Sequence, residues 1–325
     1  AGLAVFQSVV VPRAGIVAAV WLLLGAVAYL LRFGRHARVQ DALAETVDAD
    51  LLELRGRSPL VLVPTSHPSN AGALVLMGAC IAPPRVGRVL MLNVVAPAKS
   101  QTPEALLQSL DVSSGVLRDS MLAALRAGAR AEALTTVGVE PLAEIERVAR
   151  LYRCATLLLG MSELSDSALR GRLEQMASGL SCNIALLRIP PLWRPEGTRR
   201  VLVPVRGDAT HSALRARLLS SLFHRAAPEM EVTYLLVLPS TTPPNIRERR
   251  ERSYERLMRE EARAPSVVRS VLSDDVGAAI AESAAECDLL VLGLARIDRS
   301  QRSFSEVTRK VIAMTECAAI ILSER

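Results

Sequence analysis

The sequence predicts an α/β chain in which one transmembrane helix precedes two tandem doubly wound parallel-sheet domains. Three observations carry this. Residues 14–31 form an uncharged apolar run, short Leu- and Val-rich strands alternate with helical stretches from residue 60 onward, and this alternation occurs twice in the same order. A length of 325 residues suits two globular units plus an attachment.

Composition narrows the function classes. Apolar residues make up 50% and aromatic ones only 3%, a balance that fits helices layered on sheets better than an aromatic-rich sandwich. The net charge of +6 could suit nucleic acid, but Arg is interleaved with Glu and Asp and no aromatics stand among them for base stacking. Nucleic acid is therefore not an expected partner. Cys80, Cys154, Cys182, Cys287 and Cys317 lie far apart in apolar runs, and His36, His67, His211 and His224 are equally scattered, so neither a metal site nor a disulfide framework is expected.

The first element is the run AGIVAAVWLLLGAVAYLL at residues 14–31, which as a helix rises roughly 27 Å, close to the thickness of a hydrocarbon core. Pro12 suits the helix start, and Tyr29 lies near the far interface. Gly15, Ala18, Gly25 and Ala28 supply small residues for close packing against another helix. The basic residues follow the run rather than leading it, unlike a secretory signal. Arg32, Arg35, His36 and Arg38 outweigh Arg13, which predicts a cell-membrane protein with the residues after about 34 in the cytoplasm. An apolar stretch before Pro12, and Ala rather than Met at residue 1, lead us to expect the end of a longer membrane protein.

Residues 35–57 read as a charged helical connector, with Leu43, Val47, Leu51 and Leu52 toward one face. The repeated plan follows. Its first copy opens on the strand LVLVP at residues 60–64 and its second on VLVP at 201–204; each leads through a helix to a second strand, at 89–95 and 232–238. CATLLLG at 154–160 matches CDLLVLG at 287–293, and CNIALL from Cys182 matches CAAIIL from Cys317. A Pro-rich joint at residues 189–198 separates the copies. The expected layout is 1–34 transmembrane helix and flank, 35–57 connector, 58–190 first domain, 191–199 linker and 200–325 second domain.

Each copy reads as β-α-β-α-β-α-β-α-β, and in such sheets the ligand crevice lies outside the carboxyl ends of the strands. The loops after Pro64, Gly160, Pro204 and Gly293 are therefore where a site belongs. Ser66 and His67, or Asp208 and His211, are serine-hydrolase pieces without a nucleophile elbow, so no catalytic residue is expected and the protein reads as a non-enzyme. Ser69, Asn70 and Asp208 read instead as helix caps. Residues 245–263 alternate Arg and Glu at helical spacing, a solvated face with Ile246, Tyr254, Leu257 and Met258 available for packing.

The VPV at residues 203–205, the fourth strands ending in Gly160 and Gly293, and the short last strands introduced by Cys182 and Cys317 resemble the universal stress protein fold, over about residues 58–325. Behind a transmembrane helix, the arrangement resembles the carboxyl-terminal end of amino acid-polyamine-organocation superfamily permeases; bacterial cation-chloride cotransporters share that plan. The resemblance implies a cytoplasmic regulatory or dimerisation region of a secondary transporter, an amino acid permease before a cation-chloride cotransporter. A membrane-anchored nucleotide-binding stress protein is the alternative. The partners implied are membrane lipids, upstream transporter helices, and either intramolecular pairing of the two domains or a homodimer.

Nucleotide-binding members of that family carry an acidic residue after the first strand and Gly-x-x-Gly-x9-Gly-Ser/Thr after the fourth. Here the acidic positions hold Ser66 and Arg206, with Asp208 nearby. Gly293 is followed by Arg296 and then Glu306-Val307, or by Arg302-Ser303 if the loop is shortened; Gly160 is followed by Glu163 and then Leu173-Glu174. Carboxylates beside phosphate oxygens oppose binding, so no cofactor is expected and ATP is disfavoured. The crevice candidates are Ser66, Gly160, Arg206, Asp208, Gly293 and Arg296.

Overall fold

Strands rich in Leu, Val and Ile are buried on both faces only when helices cover both sides of a sheet, and that is the arrangement of the computed structural model. It describes residues 23–24, 58–66, 68–96, 103–126, 128–161, 167–205, 212–261, 264–293, 295–296 and 302–324. The chain divides into two units, Ala1–Arg57 and Ser58–Arg325. The expected membrane helix at residues 14–31 and the connector at 35–57 lie outside the described residues, apart from Leu23 and Leu24, which are helical. Among the described residues no helix is long and apolar enough to cross a membrane.

In the Ser58–Arg325 unit the elements alternate. The first half contains β1 (Leu60–Pro64), α1 (Pro68–Ile81), β2 (Arg88–Val95), α2 (Pro103–Arg126), β3 (Ala131–Val137), α3 (Pro141–Leu151), β4 (Thr156–Met161), α4 (Ser167–Gly179) and β5 (Asn183–Arg188). After a 3-10 turn at Pro195–Gly197, the second half runs β6 (Arg200–Val205), α5 (Ala213–Arg225), β7 (Glu231–Leu238), α6 (Pro244–Glu261), β8 (Ser266–Leu272), α7 (Val276–Ala284) and β9 (Leu289–Gly293). A small ribbon, β10 (Ala295–Arg296) with β11 (Arg302–Ser303), then leads to α8 (Glu306–Met314) and β12 (Ala318–Ser323). Proline opens α1, α2, α3 and α6, where its missing N–H is not needed.

The strands form one ten-stranded sheet in the order β3-β2-β1-β4-β5-β12-β9-β6-β7-β8. Every pairing in it is parallel except the one between β5 and β12, where Ile320 lies opposite Leu187 and Ile321 opposite Leu186. The last strands of the two halves thus pair within the chain.

Burial follows the two-residue period of the strands. Val61, Val63, Val89, Met91, Val201, Val203, Leu289 and Val291 turn to one face and pack with Val75 and Met77 of α1, Leu117 of α2, Leu218 and Leu222 of α5 and Met258 of α6. Leu60, Leu62, Leu157, Leu159, Leu202, Leu290 and Leu292 turn to the other face, toward Ile145 and Val148 of α3, Met176 of α4, Ile280 of α7 and Val311 of α8. Both cores run across the two halves. Tyr254 and Met258 anchor α6 as its spacing predicts, whereas Ile246 is 43% exposed.

Two predicted caps differ from the structure. α1 begins at Pro68, so Ser69 and Asn70 sit inside its first turn rather than ahead of it. α5 is capped by Ser212, whose Oγ accepts from the Arg215 N–H at 3.2 Å, because the cap must lie immediately before the first helical turn and Asp208 is too far upstream.

Candidate functional site

At the centre of each half two neighbouring strands part company. β1 and β4 are registered only at Val61–Thr156 and Leu62–Leu157, while β1 stays with β2 to Pro64–Leu92 and β4 stays with β5 to Met161–Arg188. The second half repeats this: β6 and β9 are registered only at Val201–Leu289 and Leu202–Leu290, while β6 follows β7 to Val205–Leu236 and β9 follows β12 to Gly293–Leu322. The crevices opened in this way are the switch points where α/β sheets place ligands.

The first crevice brings Ser66 and Gly160 to its two sides. Ser66 is exposed beyond the end of β1, next to Thr65, whose N–H donates to the Leu92 carbonyl at 2.8 Å and whose hydroxyl is buried with no partner among the described residues. A Cβ built on Gly160 would stand 3.2 Å from Leu74 Cδ1. The buried Leu74 side chain of α1 therefore packs close beside the glycine, which itself stays exposed.

In the second crevice Gly293 is exposed, and a Cβ there would meet no atom of the described residues within 4 Å. Arg206 and Asp208 lie outside the described residues. Arg296 is described as backbone only, registered with Arg302 in the β10–β11 ribbon.

Two carboxylates act at this end of the second half in roles that sequence reasoning did not assign. Glu324, just past β12, accepts from Ser212 Oγ at 2.9 Å and from the Leu214 N–H, and so sits at the amino end of α5. Glu174 of α4 accepts from Ser303 Oγ at 3.0 Å and from the Phe304 N–H at 2.9 Å, just ahead of α8. Free N–H groups at helix starts attract anions; at α5 the chain supplies its own in Glu324, whereas α8 is capped by Ser305 and Glu174 holds the loop ahead of it. No sequence signal ties Glu174 to Ser303, since the two stand 129 residues apart in different halves.

A second cross-half contact closes the seam between the last strands. Arg188, the last residue of β5, donates from Nη1 to the Ile312 carbonyl at 2.6 Å. Its Nη2 donates to Thr315 Oγ1 at 2.9 Å and to the Cys317 carbonyl at 2.7 Å. Burial pulls the pKa of this guanidinium below its ordinary value, and Cys317 and then Glu316 oppose that pull. On α6, Arg247 and Glu251 form an i,i+4 pair, and both bond Ser270 of β8, fixing the charged helix to the edge of the sheet.

No protein-family model matches the sequence, and no curated protein matches it. Solved structures do share its fold. A universal stress protein from Archaeoglobus fulgidus DSM 4304 is 16% identical with a TM-score of 0.55, covering 81% of this chain and 98% of that one. The cytoplasmic domain of a prokaryotic cation chloride cotransporter is 14% identical with a TM-score of 0.54, covering 82% and 95%. A functionally unknown protein from Pseudomonas aeruginosa PAO1 is 12% identical with a TM-score of 0.51, covering 82% and 92%. The chain is thus similar in fold to universal stress proteins and to a transporter cytoplasmic domain.

Proposed function

We propose that the Ser58–Arg325 unit is a non-catalytic regulatory or dimerisation region of a secondary membrane transporter, held at the cytoplasmic face of the cell membrane by the helix at residues 14–31. The observation that carries this reading is the fold likeness to the cytoplasmic domain of a prokaryotic cation chloride cotransporter. It is supported by Glu324, which already takes the Leu214 N–H at the start of α5, a donor that a phosphate would need.

An amino acid permease is the carrier suggested by the plan of one helix followed by paired α/β domains. A cation-chloride cotransporter is the second reading, favoured by the fold likeness to that family's cytoplasmic domain. The membrane-anchored nucleotide-binding protein is the third, and the Glu324 carboxylate at the start of α5 weighs against it. Alkaline carbonate extraction of membranes from cells expressing the full chain tests the anchor: the chain should stay in the pellet, and its release to the supernatant sinks the reading. Calorimetry with ATP tests the rest, where no saturable heat is expected and micromolar binding would reinstate the nucleotide reading.

A further inference from the structure

Where β2 and β3 begin, a cavity of about 300 Å³ is lined by Ala79, Ala82, Pro83, Gly87, Val89, Gly128 and Ala129, together with Arg85, Arg130 and Arg225. Arg85 and Arg130 come from the first half and Arg225 from the last turn of α5 in the second. Among the described residues no carboxylate lines the cavity. Whereas Arg88, Arg147, Arg150, Arg247 and Arg252 all have acidic partners, the guanidinium groups of Arg85, Arg130 and Arg225 have no hydrogen bond or ion pair among the described residues.

Helix ends do not account for the three guanidinium groups. The carbonyls at these ends are satisfied by backbone: Leu125 by the Gly128 N–H at 3.0 Å, Ala124 by Ala129 at 2.9 Å, Leu222 by Ala226 and Ala227, and Pro83 by Gly87 at 2.8 Å. Arg85 is held at φ 70°, a left-handed conformation that costs a non-glycine residue about 1–2 kcal/mol. The turn is fixed further by Gly87, where a Cβ would fall 2.6 Å from the Pro83 carbonyl oxygen. A strained, rigid turn that places an unpaired arginine at a cavity is the kind of feature found at binding sites.

We propose that Arg85, Arg130 and Arg225 bind a small soluble diphosphate in this cavity, so that the site is complete only when both halves are in place. Guanidinium groups take phosphate oxygens in two-pronged bonds, which matches three unpaired forks around one recess. The other lining residues are Ala, Pro, Gly and Val, with no ring to stack a base and no side-chain amide or hydroxyl to read one. Recognition therefore rests on charge, and the recess admits a compact ligand.

The test is calorimetry of the full chain with inorganic pyrophosphate at low salt. Saturable binding is expected, weakened about tenfold or more in each of Arg130→Ala, Arg225→Ala and Arg225→Gln. Arg118→Ala, an exposed arginine of α2 beside Asp119, should bind as the parent does. Melting curves establish that each variant is folded. No binding at millimolar pyrophosphate, or equal binding by all variants, overturns the proposal. So does Arg-dependent binding to phosphatidylglycerol vesicles without pyrophosphate binding, which would mark the cluster as a lipid-headgroup contact.

Discussion

Glu174 in the first half holds Ser303 of the second, accepting its hydroxyl at 3.0 Å and the following Phe304 N–H at 2.9 Å. Sequence reasoning places Glu174 as a charge opposing phosphate within its own half; in three dimensions it serves the loop of the other half. Phe304 is 4% exposed, so the carboxylate also fixes the residue that seats this loop in the core.

Removing that carboxylate should loosen the loop without unfolding the sheet. Glu174→Ala is expected to lower stability by about 1–2 kcal/mol, and Glu174→Gln, which keeps an acceptor oxygen, by less. Urea unfolding followed by circular dichroism measures both. Equal losses in the two variants would show that packing, not the hydrogen bonds, matters at this position.

Arg188 makes a stronger demand on its neighbours, because Thr315 Oγ1 and the carbonyls of Ile312 and Cys317 share one planar fork. Arg188→Ala should cost about 2–3 kcal/mol. Arg188→Lys should recover only part of this, since an ammonium cannot reproduce the fork. Full recovery by lysine would contradict the geometric account.

Asp275 caps α7 by accepting from the Ala278 N–H at 3.0 Å, and it also bonds Lys310 of α8. The Lys310 bond first, and the Ala278 bond second, lower its pKa from the ordinary 3.8. Its stabilising effect is therefore present above that value and lost as the pH falls through the lower folded-state value. Asp275→Asn should melt at a lower temperature than the parent at neutral pH, and the gap should close in acid. A gap independent of pH would exclude the charge as its cause.

Burial raises the Cys80 thiol from 9.0 to about 12, Arg225 pulling it weakly the other way. Cys154 is pushed to about 12 and Cys287 to about 11, again chiefly by burial. These groups stay protonated in the fold while an unfolded chain ionises, so stability holds below pH 9.0 and falls as the pH climbs toward about 12. The unfolding midpoint of Cys80→Ala should depend less steeply on pH across that window. The native thiols should also react slowly with iodoacetamide at neutral pH, as thiols rather than thiolates. Rapid labelling would refute the burial argument.

Much of the sheet was legible because its central strands are continuous apolar runs. LVLVP at Leu60–Pro64 and LLVLG at Leu289–Gly293 lie where the repeat predicts. The third strand of each half was implied by the plan but not located. β3 and β8 are the outer strands of the sheet, AEALTTV and SVVRSVL, half-exposed and mixed in polarity, so they lack the signature of their neighbours. Charged residues such as Glu132 and Arg269 also suit them to an open edge. At the candidate site, the strand ends and both glycines could be read from the repeat. Leu74, Glu324 and the arginine cavity could not, because each arises where distant segments meet.

The antiparallel join of β5 to β12 has a consequence in mass action. Two halves that pair through backbone bonds while connected by residues 191–199 associate at an effective concentration set by the tether, so their union does not vary with the amount of protein made. Each chain carries one of each half, in fixed stoichiometry. That frees the copies to diverge: Leu74 packs beside Gly160 in one half and Glu324 holds the start of α5 in the other, a division that two identical subunits could not make.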